Sequence, residues 1–111
     1  MSILHNLTLS KALNLLEKGE ITAVNLTEHY LKKIQNSEKL NAFCLKSSDL
    51  AISKAEYCDK IMNSEKRGKL CGIPLAIKDI FCTENQRTQA ASKILQNFVP
   101  EYESTVTAKL W

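Results

Sequence analysis

The chain has 111 residues, of which 44% are hydrophobic and 24% charged, and these values indicate one small globular domain rather than a disordered segment. Its 15 basic and 12 acidic residues are interspersed and leave a formal charge of +3, which argues against the dense basic stripe of a nucleic-acid-binding protein. The sequence shows no apolar run long enough to cross a membrane and no basic region ahead of its first apolar residues, so we expect a cytoplasmic protein.

Two amphipathic helices are predicted in the first forty residues. Thr8 can cap a helix over residues 9–18, and Gly19 can end it. Thr22 can cap a second helix whose apolar residues recur at helical spacing as far as Ile34. A short turn separates the two, so they are predicted to form a helical hairpin.

A strand and a longer helix are predicted next. Residues 42–45 are a candidate for a short strand, and residues 49–66 have the apolar periodicity of a helix. Ser47 or Ser48 can cap this helix, while Gly68 and the basic residues around it favour its end there.

An apolar run followed by a lysine begins at Leu70. Pro74 has no N–H and suits the first residue of a strand, so residues 75–77 are predicted to form a short strand of a parallel sheet covered by helices. Lys78 falls where that strand leaves the core, the usual position of a functional group in an α/β sheet. A lysine partly desolvated there can act as a base, whereas one that extends to solvent cannot, and both interpretations are open. Asp79 faces the other side of a strand and need not pair with Lys78.

The remaining residues are predicted to form a polar loop and two short helices. The loop covers residues 83–88, where Asn85 can adopt a left-handed backbone. One helix is predicted over residues 90–98, ended by Pro100, and the other over residues 103–110.

The cysteines and histidines do not have the spacing of a metal site. With no CxxC pair and no export signal, the cysteines are predicted to be free and mostly buried thiols. His29 is predicted to lie on the solvent side of its helix. The residues concerned are Cys44, Cys58, Cys71, Cys82, His5 and His29.

The segment Gly72-Ile73-Pro74-Leu75-Ala76-Ile77-Lys78-Asp79 resembles the part of the amidase signature family that contains its catalytic lysine. The similarity covers nearly the whole chain but only the first part of the family's domain, and it continues through Thr83, Thr88, Ala91-Ser92 and residues 98–106. The resemblance implies an α/β fold, in which N-terminal helices precede the first strands of a mixed sheet flanked by helices. Residues 1–69 would be a mainly helical lead-in and residues 70–111 the start of a truncated catalytic core.

The resemblance also implies a Ser–cis-Ser–Lys triad. Lys78 would be the base that takes a proton from the bridging serine, which in turn activates the nucleophilic serine. In the family both serines lie in a Gly/Ser-rich stretch further along the chain, and Ser92, Ser104 and Thr105 have no such context. The chain alone is therefore expected to be inactive. The family often has a second threonine where this chain has Gln89, so any contact of that hydroxyl is in question.

Residues 98–106 are most similar to one branch of the family, the A subunits of glutamyl-tRNA(Gln) amidotransferases. This similarity implies hydrolysis of glutamine to supply ammonia for converting Glu-tRNA(Gln) to Gln-tRNA(Gln). Partner subunits of B and C type would complete the complex, with ATP and Mg bound through a partner and no cofactor in this chain. The alternatives are part of a stand-alone amidase acting on a small amide, and a non-catalytic module or truncated remnant.

Overall fold

The computed structural model describes residues 3–111, which form two compact units. The helical unit contains residues 3–43 and 47–74, and the C-terminal unit contains residues 44–46 and 75–111. Within residues 3–111, no helix is both long and apolar enough to span a membrane. The α-helices of this range are α1 (Leu9–Glu17), α2 (Ala23–Asn36), α3 (Ser48–Ile61) and α4 (Thr105–Leu110), and short 3-10 helices lie at Glu38–Leu40 and Lys93–Leu95.

The ends of α1 lie close to the predicted ones. The Thr8 hydroxyl accepts the N–H of Lys11 at 3.2 Å, which confirms the predicted cap. Gly19 has a left-handed φ of +67°, and its N–H donates to the carbonyl of Leu16 at 3.1 Å. A glycine adopts this conformation without strain, so it ends the helix as predicted.

Two caps fix the beginning of α2. The Thr22 hydroxyl accepts the N–H of Asn25 at 3.0 Å, as the sequence predicted. The second cap comes from α3, where the Asp59 carboxylate accepts the N–H groups of Ala23 at 2.6 Å and Val24 at 3.1 Å. These bonds join α2 and α3 beside the core of the helical unit, which consists of Ala12, Leu16, Ile21, Ala23, Leu26 and Ala55.

Gly72 brings the chain after α3 back onto this core. It is buried, with a φ of +85°. A Cβ atom at this position would lie 3.1 Å from Leu16 Cδ1, 3.1 Å from Met62 Cε and 3.2 Å from Ala23 Cβ. Only a residue without a side chain fits this approach.

The third helix is shorter than predicted, because α3 ends at Ile61 and not near residue 66. The N–H and the hydroxyl of Ser64 both donate to the carbonyl of Ile61 at 2.9 Å. Serine side chains compete with the helix for backbone groups in this way, and the chain leaves the helix there. The N-cap is Ser47, whose side chain makes no capping hydrogen bond.

Neither predicted strand is present among residues 3–111. Residues 42–45 and 75–77 form no ladder with another segment, and a strand needs such a partner. The structure therefore places helices where the sequence predicted helices in the first two thirds of the chain, but it does not form the sheet that the α/β interpretation requires.

The helix predicted over residues 90–98 is wrong. Ala90 and Ala91 have left-handed φ values of +49° and +58°, and only the 3-10 helix Lys93–Leu95 forms in this range. The final helix, α4, begins two residues later than predicted, after Ser104.

The C-terminal unit buries polar rather than large apolar side chains. Its buried residues are Thr88, Pro100 and Thr107. Its large apolar side chains are instead exposed, with Ile94 at 94% of its full accessibility. The other members of this exposed set include Leu75, Ile80, Phe81, Phe98, Val99, Tyr102, Val106 and Trp111.

Two predictions about side-chain burial need correction. His29 does not lie on the solvent side of α2 but is half-buried, and its Nε2 is enclosed without a hydrogen-bond partner among residues 3–111. The four cysteines are free thiols, but none is fully buried: Cys44 is exposed, and Cys58, Cys71 and Cys82 are half-buried.

Candidate active site

Lys78 lies at the end of an extended segment, residues 73–78, that contains neither helix nor turn. Its carbonyl oxygen accepts the N–H of Phe81 at 3.1 Å, so the chain turns directly after it. The Lys78 side chain is exposed, and its ammonium makes no hydrogen bond or salt bridge within the described part of the chain. Residues 3–111 therefore do not supply the desolvation expected around a lysine base.

Asp79, in contrast, is held by two hydrogen bonds. Its Oδ1 accepts the N–H of Gln89 at 3.0 Å, and its carbonyl oxygen accepts the N–H of Ala90 at 2.7 Å. The carboxylate thus binds backbone and is not used as a counter-ion for Lys78. The sequence analysis gave Asp79 no role, although an aspartate that follows an extended segment is a residue type that commonly binds backbone N–H groups in loops.

The contact at position 89 does not depend on its side chain. The backbone N–H of Gln89 donates to Asp79, and every residue except proline carries this group. The change from threonine to glutamine therefore keeps the hydrogen bond to Asp79.

A tight turn follows immediately. The N–H of Ser92 donates to the carbonyl of Gln89 at 2.9 Å, across Ala90 and Ala91 with their positive φ values. Two central residues with positive φ are the signature of a type I′ turn, which is strained for alanine. This turn directs the N–H groups of residues 89 and 90 toward the single residue Asp79.

Two further backbone bonds hold the loop after Lys78. Asn85 adopts the predicted left-handed conformation, with a φ of +58°, and its N–H donates to the carbonyl of Pro100 at 2.9 Å. The N–H of Thr88 donates to the carbonyl of Phe98 at 3.1 Å. These two bonds hold residues 85–88 beside residues 98–100.

The carbonyl of Cys82 anchors the beginning of α4. It accepts the N–H of Ser104 at 2.8 Å and the hydroxyl of Thr107 at 3.0 Å. Ser104 Oγ in turn accepts the N–H of Thr107 at 3.2 Å and caps α4. The Ser104 hydroxyl is thus used in capping, in agreement with the decision not to assign it as a nucleophile.

The electrostatic features of this unit are modest. The Cys82 thiol donates to the Tyr102 hydroxyl at 3.4 Å. That hydrogen bond, followed by the charge of Cys82 and by burial, raises the pKa of Tyr102. Within residues 3–111, no group of three or more His, Cys, Asp or Glu side chains is arranged to hold a metal ion.

An exposed lysine on a fixed loop, at the position where the amidase signature family has its base, defines an amidase-like segment. The Amidase family model matches residues 25–111, and the chain belongs to this family. It is 49% identical over all 111 residues to the A subunits of the glutamyl-tRNA(Gln) amidotransferases of Azorhizobium caulinodans and Xanthobacter autotrophicus. The protein of the same name from Caulobacter sp. strain K31 is 50% identical over 111 residues. The chain spans 22% of the length of the first two relatives and 23% of the third.

Proposed function

We propose that the chain is part of the A subunit of a glutamyl-tRNA(Gln) amidotransferase, which hydrolyses glutamine and supplies ammonia for the conversion of Glu-tRNA(Gln) to Gln-tRNA(Gln). The observation that carries this proposal is an identity of 49% that extends over the full 111 residues to proteins of that name. The match includes the stretch from Gly72 to Asp79, on which the chemistry would depend.

Lys78 is the proposed base of this reaction. Its neutral amine would take the proton of a bridging serine, and that serine would take the proton of the nucleophilic serine. The nucleophile then attacks the carboxamide carbon of glutamine, ammonia leaves, and water hydrolyses the acyl-enzyme. Both serines would come from parts of the protein beyond this chain, which would also desolvate Lys78.

The complete protein would also form the sheet. Residues 73–78 are already extended, so residues 75–77 require only a neighbouring strand to join a mixed sheet flanked by helices. Residues 1–69 would then be the mainly helical lead-in, and residues 70–111 the start of the catalytic core.

The proposed complex is cytoplasmic and contains B- and C-type subunits. A partner subunit would bind ATP and Mg and use the ammonia on Glu-tRNA(Gln). The names of the relatives, which are subunits of a tRNA amidotransferase, support this assignment.

A hybrid subunit tests the proposal. In it, this chain replaces the matching 111-residue segment of the Azorhizobium caulinodans relative, and the product is assembled with that organism's partner subunits. We expect release of ammonia from glutamine and formation of Gln-tRNA(Gln). Lys78→Ala should abolish the glutaminase activity, whereas Lys93→Ala, which removes another exposed lysine, should leave it unchanged.

The other outcomes separate the alternatives. Hydrolysis of small amides without tRNA-dependent transfer would favour the stand-alone amidase. A folded hybrid without any amide hydrolysis would overturn the proposal and favour the non-catalytic module. Normal turnover in the Lys78→Ala hybrid would remove Lys78 from the mechanism.

A further inference from the structure

We propose that Asp79 is a positioning residue for Lys78, acting through its carboxylate as a hydrogen-bond acceptor and not through its charge. The inference rests on the proposed function of Lys78 and adds a residue to it.

The two hydrogen bonds of Asp79 fix the backbone on one side of Lys78. One is made by the side chain to the N–H of Gln89 and the other by the main chain to the N–H of Ala90. On the same side, the bond from the Phe81 N–H to the Lys78 carbonyl closes the turn. The peptide that carries Lys78 therefore has little freedom to rotate, while the Lys78 side chain itself is unrestrained within residues 3–111.

The geometry of the partner segment supports a role beyond simple loop closure. Ala90 and Ala91 are held in left-handed conformations that cost an alanine roughly 1–2 kcal/mol per residue. The turn containing them directs two successive N–H groups at Asp79, and the Asp79 carboxylate is the only side-chain group in this arrangement that a substitution can remove without altering the backbone. A base that takes a proton must be placed accurately, because a displacement of about 1 Å can reduce a rate by roughly 100-fold.

Acceptor and charge make different predictions for two substitutions. Asparagine keeps an oxygen that can accept the Gln89 N–H, whereas alanine removes it. In the hybrid subunit we expect Asp79→Ala to lower kcat for glutamine hydrolysis by about 10- to 100-fold with little change in KM. We expect Asp79→Asn to retain kcat within about threefold, with an unchanged pH profile.

Ser104→Ala is the matched control for stability. It also removes one hydrogen bond between a backbone N–H and a side-chain oxygen in the same unit, here at the cap of α4. We expect it to lower thermal stability about as much as Asp79→Ala while leaving kcat per folded enzyme unchanged. If kcat fell equally in both variants, the effect of Asp79 would be general destabilisation and the inference would be wrong.

Two more results would overturn the inference. If Asp79→Ala kept normal kcat while Lys78→Ala was inactive, Asp79 would not position Lys78, and the proposed function would stand. If Asp79→Asn lost as much activity as Asp79→Ala, or shifted the pH profile, the charge would be what matters. Activity that survives in Lys78→Ala would instead refute the proposed function itself.

Discussion

The carboxylate of Asp59 in α3 accepts the buried N–H of Ala23 at 2.6 Å, and so caps a helix that begins 36 residues earlier in the chain. A carboxylate at a helix N-terminus satisfies N–H groups that have no partner within the helix and interacts favourably with the helix dipole. Because Ala23 is fully buried, water cannot replace this acceptor.

Asp59→Ala should therefore destabilise the beginning of α2. Loss of the acceptor for a buried N–H costs about 1–3 kcal/mol, which corresponds to faster hydrogen exchange of roughly 5- to 150-fold. Exchange of residues 23–30 in the hybrid subunit measures this effect. Thr22→Ala is a useful comparison, because it removes an exposed cap bond of the same helix and should cost less, about 1 kcal/mol. Equal exchange in Asp59→Ala and the parent would show that the tertiary cap contributes nothing.

The three glycines allow backbone strain and steric overlap to be separated. Gly72→Ala introduces both, because its φ is +85° and its Cβ would approach three side-chain atoms within 3.2 Å. We expect a loss of roughly 2–3 kcal/mol in the helical unit. Gly19→Ala introduces strain alone, since φ is +67° and nothing lies within 4 Å, and should cost about 1 kcal/mol.

Gly68→Ala completes this series as the control. No atom lies within 4 Å of its Cβ position, and its φ is not in the left-handed range. We expect no loss of stability, or a small gain from the less flexible unfolded chain. Urea unfolding of the 111-residue chain, followed by far-UV circular dichroism, ranks the three variants. A Gly68→Ala loss as large as that of Gly72→Ala would contradict this assignment.

His29 should make the helical unit less stable in mild acid. Burial, then the charges of Lys33, His5 and Lys32, lower the pKa of His29 below 6.5 in the folded state. The unfolded chain therefore binds more protons, and stability is complete above pH 6.5 and falls as the pH decreases through 6.5 toward the folded-state value. The aromatic ring of Tyr30, with its centroid 5.5 Å from that of His29, offers no acceptor to compensate.

The unfolding midpoint of the chain, measured at about pH 7.5 and at about pH 5, tests this effect. His29→Phe should flatten the dependence, and Lys33→Gln should weaken it because it removes the largest of the charge contributions. An unchanged slope in His29→Phe would assign the acid sensitivity to other groups.

Cys71 should be a slow nucleophile. Burial, followed by the hydrogen bond with Cys58, raises the pKa of Cys71 to about 11. At about pH 8, roughly one molecule in a thousand would then carry the thiolate, which is the reactive form. Alkylation by iodoacetamide, followed by mass spectrometry of the peptides, should label exposed Cys44 long before Cys71. The difference should disappear in urea, and early labelling of Cys71 in the native chain would contradict the proposed environment.

Local signals were sufficient for the first helices. Thr8, Thr22 and Gly19 predicted helix ends because a cap acts through its own side chain or its own φ, and neither depends on distant residues. Asn85 was predicted correctly for the same reason.

Distant contacts account for the errors. Residues 90–98 have ordinary helix propensity, but the N–H of Ala90 is bound to the carbonyl of Asp79, well back along the chain, and the left-handed pair that begins there excludes a helix. The tertiary cap by Asp59 and the enclosed Nε2 of His29 likewise depend on packing that periodicity does not encode. A strand at residues 75–77 depends even more on a partner, because its hydrogen bonds are all made to another segment. Lys78 itself was found by its motif, and its assigned role remains a prediction.

The burial pattern of the C-terminal unit has a consequence for the way its sequence tolerates substitution. Its interior is made by hydrogen-bonded Thr88 and Thr107 and by Pro100, while side chains such as Ile80 and Ile94 are exposed. If the unit is one layer of a larger protein, a saturation mutagenesis screen of that protein should find Ile80 and Ile94 as intolerant of polar residues as interior positions are. The same screen of the 111-residue chain should find polar residues there neutral or favourable for solubility. The two tolerance profiles would differ most at the residues that are most exposed in this structure.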